Sequence, residues 1–218
     1  FIKYEYHSLL MMKPATLTHF VFGYGSLICP ESRAITAPEQ SHKIATPVQV
    51  RNVERVWSKR TARGMTAMGV RFVQDAACIG VILPVSDKEL ALFDEREQGY
   101  DRVPLELSNV EQVSFLSEAH YEEDDHDIFL QAKELNATDA VQIWVYVQRV
   151  KNPASAEHPI VQTYVDTILR GCLSISEEFA QEFIASTKGL HPDELLDDDD
   201  DNNDGETNQN ALASAEKQ

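Results

Sequence analysis

Cysteine and positive charge are both scarce in this chain, and no apolar run approaches the length of a membrane span. The 218 residues include three cysteines, Cys29, Cys78 and Cys172. Their odd number and wide spacing fit neither a disulfide framework nor a zinc site, which predicts a reducing, cytoplasmic setting. Nineteen lysines and arginines stand against 36 aspartates and glutamates, for a net charge of −17. A chain without a basic footprint is not expected to bind nucleic acid. Without a stretch of about 20 apolar residues, no membrane-spanning helix is expected either. Nothing in the sequence sets an oligomeric state.

The acidity is local. Residues 111–139 carry nine acids and one lysine, and residues 191–218 carry ten acids and one lysine. The remainder is neutral, so the charge belongs to an insertion and a tail rather than to the core. The tail contains five consecutive aspartates, Asp197 to Asp201, and cannot bury enough apolar surface to order itself. The expected organisation is an N-terminal extension over 1–18, one domain over 19–190 with an acidic insertion at about 110–140, and a disordered acidic tail over 191–218. Met11 and Met12 are candidate starts. The extension carries few basic residues and matches a transit peptide poorly. Within the insertion, Glu122-Glu-Asp-Asp-His-Asp127 offers oxygen ligands, but charge runs of this kind are usually solvated loops, and no metal is expected. Asn136-Ala-Thr138 matches a glycosylation sequon that a cytoplasmic chain would not use.

Two motifs carry chemistry. Phe20-Val-Phe22 reads as a buried strand, and Gly23-Tyr-Gly-Ser-Leu27 ends it. Glycines there let the main chain turn sharply and let a ligand approach it closely. Successive N–H groups in such a turn can hold a carboxylate. Taken alone, this strand and turn also fit a plain connection between two core elements.

The second motif lies about seventy residues on. Ser86-Asp-Lys-Glu89 is a capping box that starts a helix. Leu90 and Phe93 share its buried face, Glu97 follows one turn beyond Phe93, and Gly99 is placed to end it. A partly buried carboxylate at a helix C-terminus has its pKa raised by desolvation and by the dipole, which suits general-base work. Asp94 and Glu95 fall off the apolar stripe and read as solvated.

Elsewhere, residues 47–58, 65–72 and 77–84 are rich in β-branched and aromatic residues and read as strands, as does Val141–Val147. Pro159 is placed to start a helix through Tyr164 and Ile168. Ser176 caps another helix through Phe179 and Phe183, ending near Gly189. Strands first and helices around and after them argue for an α+β fold.

The paired motifs Phe22-Gly-Tyr-Gly-Ser-Leu27 and Phe93-Asp-Glu-Arg-Glu-Gln-Gly-Tyr100 resemble the γ-glutamylcyclotransferase superfamily. The first is closer to the glutathione-degrading ChaC branch and to plant or algal relatives. Pro47–Val50, Glu54–Trp57, Gly64–Val70, Gly80–Val85 and Gln162–Cys172 fit in the expected order, so the resemblance runs from about His19 to Leu190 with a gap around 110–140. It implies a small mixed β-barrel flanked by helices, with the loop after the first strand and a catalytic glutamate facing one cavity.

It also implies a reaction. A γ-glutamyl group carries its own nucleophile, an α-amine able to close a five-membered ring on the side-chain carbonyl. The enzyme must hold the substrate folded and move one proton, with no metal or organic cofactor. Glu97 is the expected base and acid. Gly23, Tyr24, Gly25, Ser26 and Leu27 would bind the γ-glutamyl portion and the developing oxyanion. Tyr164 matches a position where a tyrosine hydroxyl helps bind substrate, although its spacing with Ile160 and Ile168 equally allows a buried core tyrosine. Tyr100 reads as structural. Arg96 and Arg102 can pair with a substrate carboxylate or form surface salt bridges. Cys29 has no histidine partner and reads as a small buried residue. The expected products are 5-oxoproline and an amine, with glutathione among the candidate substrates. The alternatives are a γ-glutamyl-ε-lysine type of substrate and a binding or regulatory protein without turnover.

Overall fold

The computed structural model describes residues 17–113, 129 and 141–188. Most of the N-terminal extension, the Glu122–Asp127 cluster, the Asn136 sequon, Gly189 and the acidic tail lie outside these residues.

A long hairpin organises the sheet. Strand β2 (Thr46–Arg60) runs antiparallel to β3 (Thr66–Val85). The sequence suggests two strands at 65–72 and 77–84; they form one continuous strand. The ladder is offset where Arg51 pairs with Ala77 but Val53 pairs with Phe72. Asn52 and Asp75 take the positive φ values of 61° and 63° at this offset. The Asn52 side chain accepts the Asp75 N–H at 3.1 Å. Both residue types tolerate that backbone, and such a bulge adds twist.

Strand β1 (Thr18–Gly23) lies antiparallel to the second half of β3 and parallel to β6 (Val141–Gln148). Strand β4 (Tyr100–Leu105) pairs with β6, and β5 (Val110–Gln112) and β7 (Thr187–Lys188) pair with β2. The order is β4-β6-β1-β3-β2-β5, with β7 beside β2. The result is a mixed sheet curled into a half-barrel and flanked by helices. Strand β5 falls where the acidic insertion was expected to begin, so the sheet continues to Gln112. The central β1 explains its apolar run, since Phe20 to Gly23 are buried on both faces.

Four helices complete the described fold. Helix α1 (Pro30–Ala34) follows the loop after β1. Helix α2 (Asp87–Arg96) starts at the capping box: the Ser86 Oγ accepts the Glu89 N–H, and the Glu89 carboxylate accepts the Ser86 N–H. Leu90 and Phe93 are buried as their spacing requires. The chain leaves the helix at Glu97, and Gly99 turns it at φ 85° into β4.

Helix α3 (Gln162–Leu173) begins three residues after Pro159. The reason is tertiary. The Pro159 carbonyl accepts the Thr66 N–H at 3.0 Å, and the His158 carbonyl accepts the Thr66 hydroxyl at 2.7 Å. These bonds hold the segment to the β2–β3 hairpin until Val161 takes the cap. Helix α4 (Glu177–Ala185) is capped by Ser176, whose Oγ accepts the Phe179 N–H at 3.0 Å. Fully buried Arg55 joins α4 to the sheet by donating to the Ile79 and Phe183 carbonyls, Thr187 and Ser186. None of the described helices is long and apolar enough to cross a membrane.

Candidate active site

A small cleft, partly open to solvent, forms where the loop after β1 meets the end of α2. Tyr24, Gly25, Ser26 and Leu27 line it together with Glu97 and Tyr164. Six of the seven residues expected at the site therefore share one cavity. Gly23 does not line it. It is the last residue of β1, paired with Val81, and a side chain there would press on Leu27 Cβ at 3.2 Å and Val81 Cγ2 at 3.3 Å rather than enter the cleft.

The loop leaves several N–H groups unbonded. After Gly25 the chain makes a single 3-10 turn over Ser26–Ile28, closed by the Ile28 N–H on the Gly25 carbonyl at 3.0 Å. The N–H groups of Gly25, Ser26 and Leu27 donate to no acceptor among the described residues. Three successive free donors at a cleft wall suit a carboxylate or an oxyanion.

Glu97 is the cleft's only carboxylate among the described residues, and its side chain is 16% exposed. Burial raises its pKa above the ordinary glutamate value, against the opposing pull of the Arg96 guanidinium. Four phenols surround it. Tyr24 and Tyr164 are joined by two that the sequence did not mark as site residues, Tyr100 and Tyr146. Burial raises all four phenol pKa values, so each stays protonated at neutral pH. The Tyr24 hydroxyl donates to the Tyr146 carbonyl, that of Tyr100 to the Met68 carbonyl at 2.7 Å, and that of Tyr146 to Asp94 at 2.8 Å. Tyr164 meets Trp57 edge-on, with ring centroids 6.0 Å apart.

Tyr146 was illegible because it shares a strand phase with Gln142 and Gln148, which reads as the polar face. Its place in the lining comes from contacts distant along the chain, among them the Tyr24 hydroxyl on the Tyr146 carbonyl. Phe22 and Met68 also reach the lining.

The remaining candidates have other duties. Arg102 pairs with Asp94 at 2.9 Å and stacks 4.7 Å over Trp144. Arg96 donates to Ser26, Ser32 and Thr36 and faces Glu97. Cys29 is buried, its thiol donates to Glu31 at 2.9 Å, and burial pushes its pKa up. Such a thiol is a poor nucleophile.

No family model and no curated protein matches the sequence. Solved structures do match. One described as a γ-glutamyl cyclotransferase superposes with a TM-score of 0.52 at 11% identity, over 78% of this chain and 88% of that one. An uncharacterised protein from Homo sapiens gives 0.51 at 12% identity, over 78% and 88%. YkqA from Bacillus subtilis gives 0.51 at 14% identity, over 81% of this chain and 55% of that one. At such identities the likeness is one of fold, and the chain adopts the γ-glutamylcyclotransferase fold.

Proposed function

We propose that this protein is a γ-glutamyl cyclotransferase with Glu97 as its catalytic acid and base. The observation that carries the reading is one buried carboxylate sharing a cleft with a loop whose Gly25, Ser26 and Leu27 N–H groups have no acceptor among the described residues. A γ-glutamyl group needs that pair of features. Its ammonium is drawn to Glu97, and its α-carboxylate and reacting carbonyl require donors. No basic side chain lines the cleft among the described residues, so the donors are the loop amides, Ser26 and the Tyr164 hydroxyl.

The reaction then needs no bond to the enzyme. Glu97 takes a proton from the α-ammonium. The freed amine attacks the γ-carbonyl carbon and a C–N bond closes the five-membered ring. The loop N–H groups stabilise the oxyanion. Glu97 returns its proton to the leaving nitrogen, the ring nitrogen gives its second proton to solvent, the original amide C–N bond breaks, and 5-oxoproline and an amine result. Holding the substrate folded supplies much of the acceleration. The raised pKa of Glu97 brings its basicity closer to working pH than that of an ordinary carboxylate.

Release of 5-oxoproline from glutathione, γ-glutamyl dipeptides and γ-glutamyl-ε-lysine tests the reading and names the leaving group. Turnover on at least one, lost in Glu97→Gln, supports it. No turnover on any, from folded protein, refutes it.

A further inference from the structure

Arg96 and Glu97 are neighbours in sequence, and adjacent residues on a regular helix point about 100° apart and do not meet. Here they do. Helix α2 ends at Arg96, and Glu97 takes φ −86° and ψ 43°. Its Oε1 thereby comes to 3.2 Å from Arg96 Nε. The rest of the guanidinium is fully engaged. Nη1 donates to the Ser32 carbonyl at 2.7 Å and to Thr36 Oγ1 at 3.0 Å. Nη2 donates to Ser26 Oγ at 3.1 Å and to Ser32 Oγ at 3.0 Å.

The four Nη hydrogens of the arginine each have an acceptor, while Nε meets Glu97 as an ion pair. Arg96 joins three pieces of the chain: the carboxylate at the end of α2 by charge, the cleft loop through Ser26, and α1 with the turn after it through Ser32 and Thr36. Neither Glu97 carboxylate oxygen accepts a hydrogen bond from the described residues, and Oε1 is the one in ion-pair contact with Arg96.

We propose that Arg96 is a positioning residue, which holds the Glu97 carboxylate through an ion pair at Oε1 and ties it to the Ser26 loop. The catalytic consequence rests on the cyclotransferase reading; the electrostatic one does not. The other groups facing Glu97 are the phenols of Tyr24 from the loop, Tyr100 from β4, Tyr146 from β6 and Tyr164 from α3. All are neutral at working pH. Arg96 is thus the one charge in contact with Glu97 among the described residues, and its removal leaves burial unopposed.

The test uses the full chain labelled with ¹³C-glutamate, the Glu97 carboxyl signal being identified by its loss in Glu97→Gln. In Arg96→Gln the Glu97 titration midpoint moves up. In Arg96→Lys, which keeps a charge but not the planar fork, the midpoint stays below that of Arg96→Gln, and kcat falls on the order of 100-fold, as for a displaced catalytic group. The Arg102→Gln control, outside the cleft, leaves the midpoint where it was. A folded Arg96→Gln that titrates as the wild type overturns the proposal and leaves Arg96 a structural staple. If Arg96→Gln does not fold, wild-type kcat in Arg96→Lys overturns it. If the wild type releases no 5-oxoproline, the functional reading fails, while the titration still decides on Arg96.

Discussion

The Tyr164 hydroxyl lies 3.4 Å from the point where a side chain on Gly25 would begin, and Met68 Cβ lies 3.5 Å from it. Both are ordinary contact distances. The space beside Gly25 is thus just large enough for a methyl group, and it belongs to the cleft.

Gly25→Ala is therefore expected to fold normally and to fill ligand space. The expected outcome is a rise in KM of at least about 10-fold with thermal stability changed by less than about 1 kcal/mol, read from initial rates and from thermal unfolding. Equal losses of stability and activity would mean that the loop had shifted.

Tyr164→Phe removes one hydroxyl at the cleft and keeps the ring that meets Trp57. Loss of a single hydrogen bond to substrate is worth about 1 kcal/mol, so KM is expected to rise roughly fivefold with little change in kcat. An unchanged KM would return Tyr164 to the core-tyrosine reading that its helical spacing also allows.

Burial of Glu97 has a consequence for folding as well as for catalysis. Its pKa is raised in the folded protein above the ordinary value of 4.5. The folded state then holds the proton more tightly than the unfolded state. Stability from this group is fully present below about pH 4.5 and is lost as pH rises through the folded value. Glu97→Gln is expected to be more stable than the wild type at neutral pH, with the advantage fading below pH 4.5. Urea unfolding at several pH values checks this.

The local signals in the sequence proved the most legible. The capping box at Ser86, the cap at Ser176, the buried pair Leu90 and Phe93, and the turn at Gly99 all depend on neighbours within one turn. So does the placement of Glu97 at the end of α2. What the sequence did not disclose depends on contacts distant along the chain. Helix α3 starts late because Thr66 claims the Pro159 and His158 carbonyls. Tyr146 lines the cleft beside Tyr24 and Asp94, its partners far along the chain. Arg96 reads as one more charge in a polar helix end, and its partners Ser26, Ser32 and Thr36 are 60 or more residues away.

Glu89 titrates with the opposite sign to Glu97. Burial alone would raise its pKa, but bonds from Lys43, Ser86 and Gln40 hold it at about 2. Its contribution is present above about pH 4.5 and is lost as pH falls toward 2. Glu89→Gln is expected to lower stability at pH 7 on the order of 2–3 kcal/mol. The difference from the wild type should close near pH 2, as measured by denaturant unfolding.

The central claim is that Glu97 moves the proton in cyclisation. The direct measurement is 5-oxoproline release by wild-type protein and by Glu97→Gln across pH, on γ-glutamyl peptides. Wild-type turnover is expected to fall on the acid side with a midpoint above 4.5, and the variant is expected to be folded and inactive. Turnover in Glu97→Gln at the wild-type rate, or none in either protein, would contradict the account.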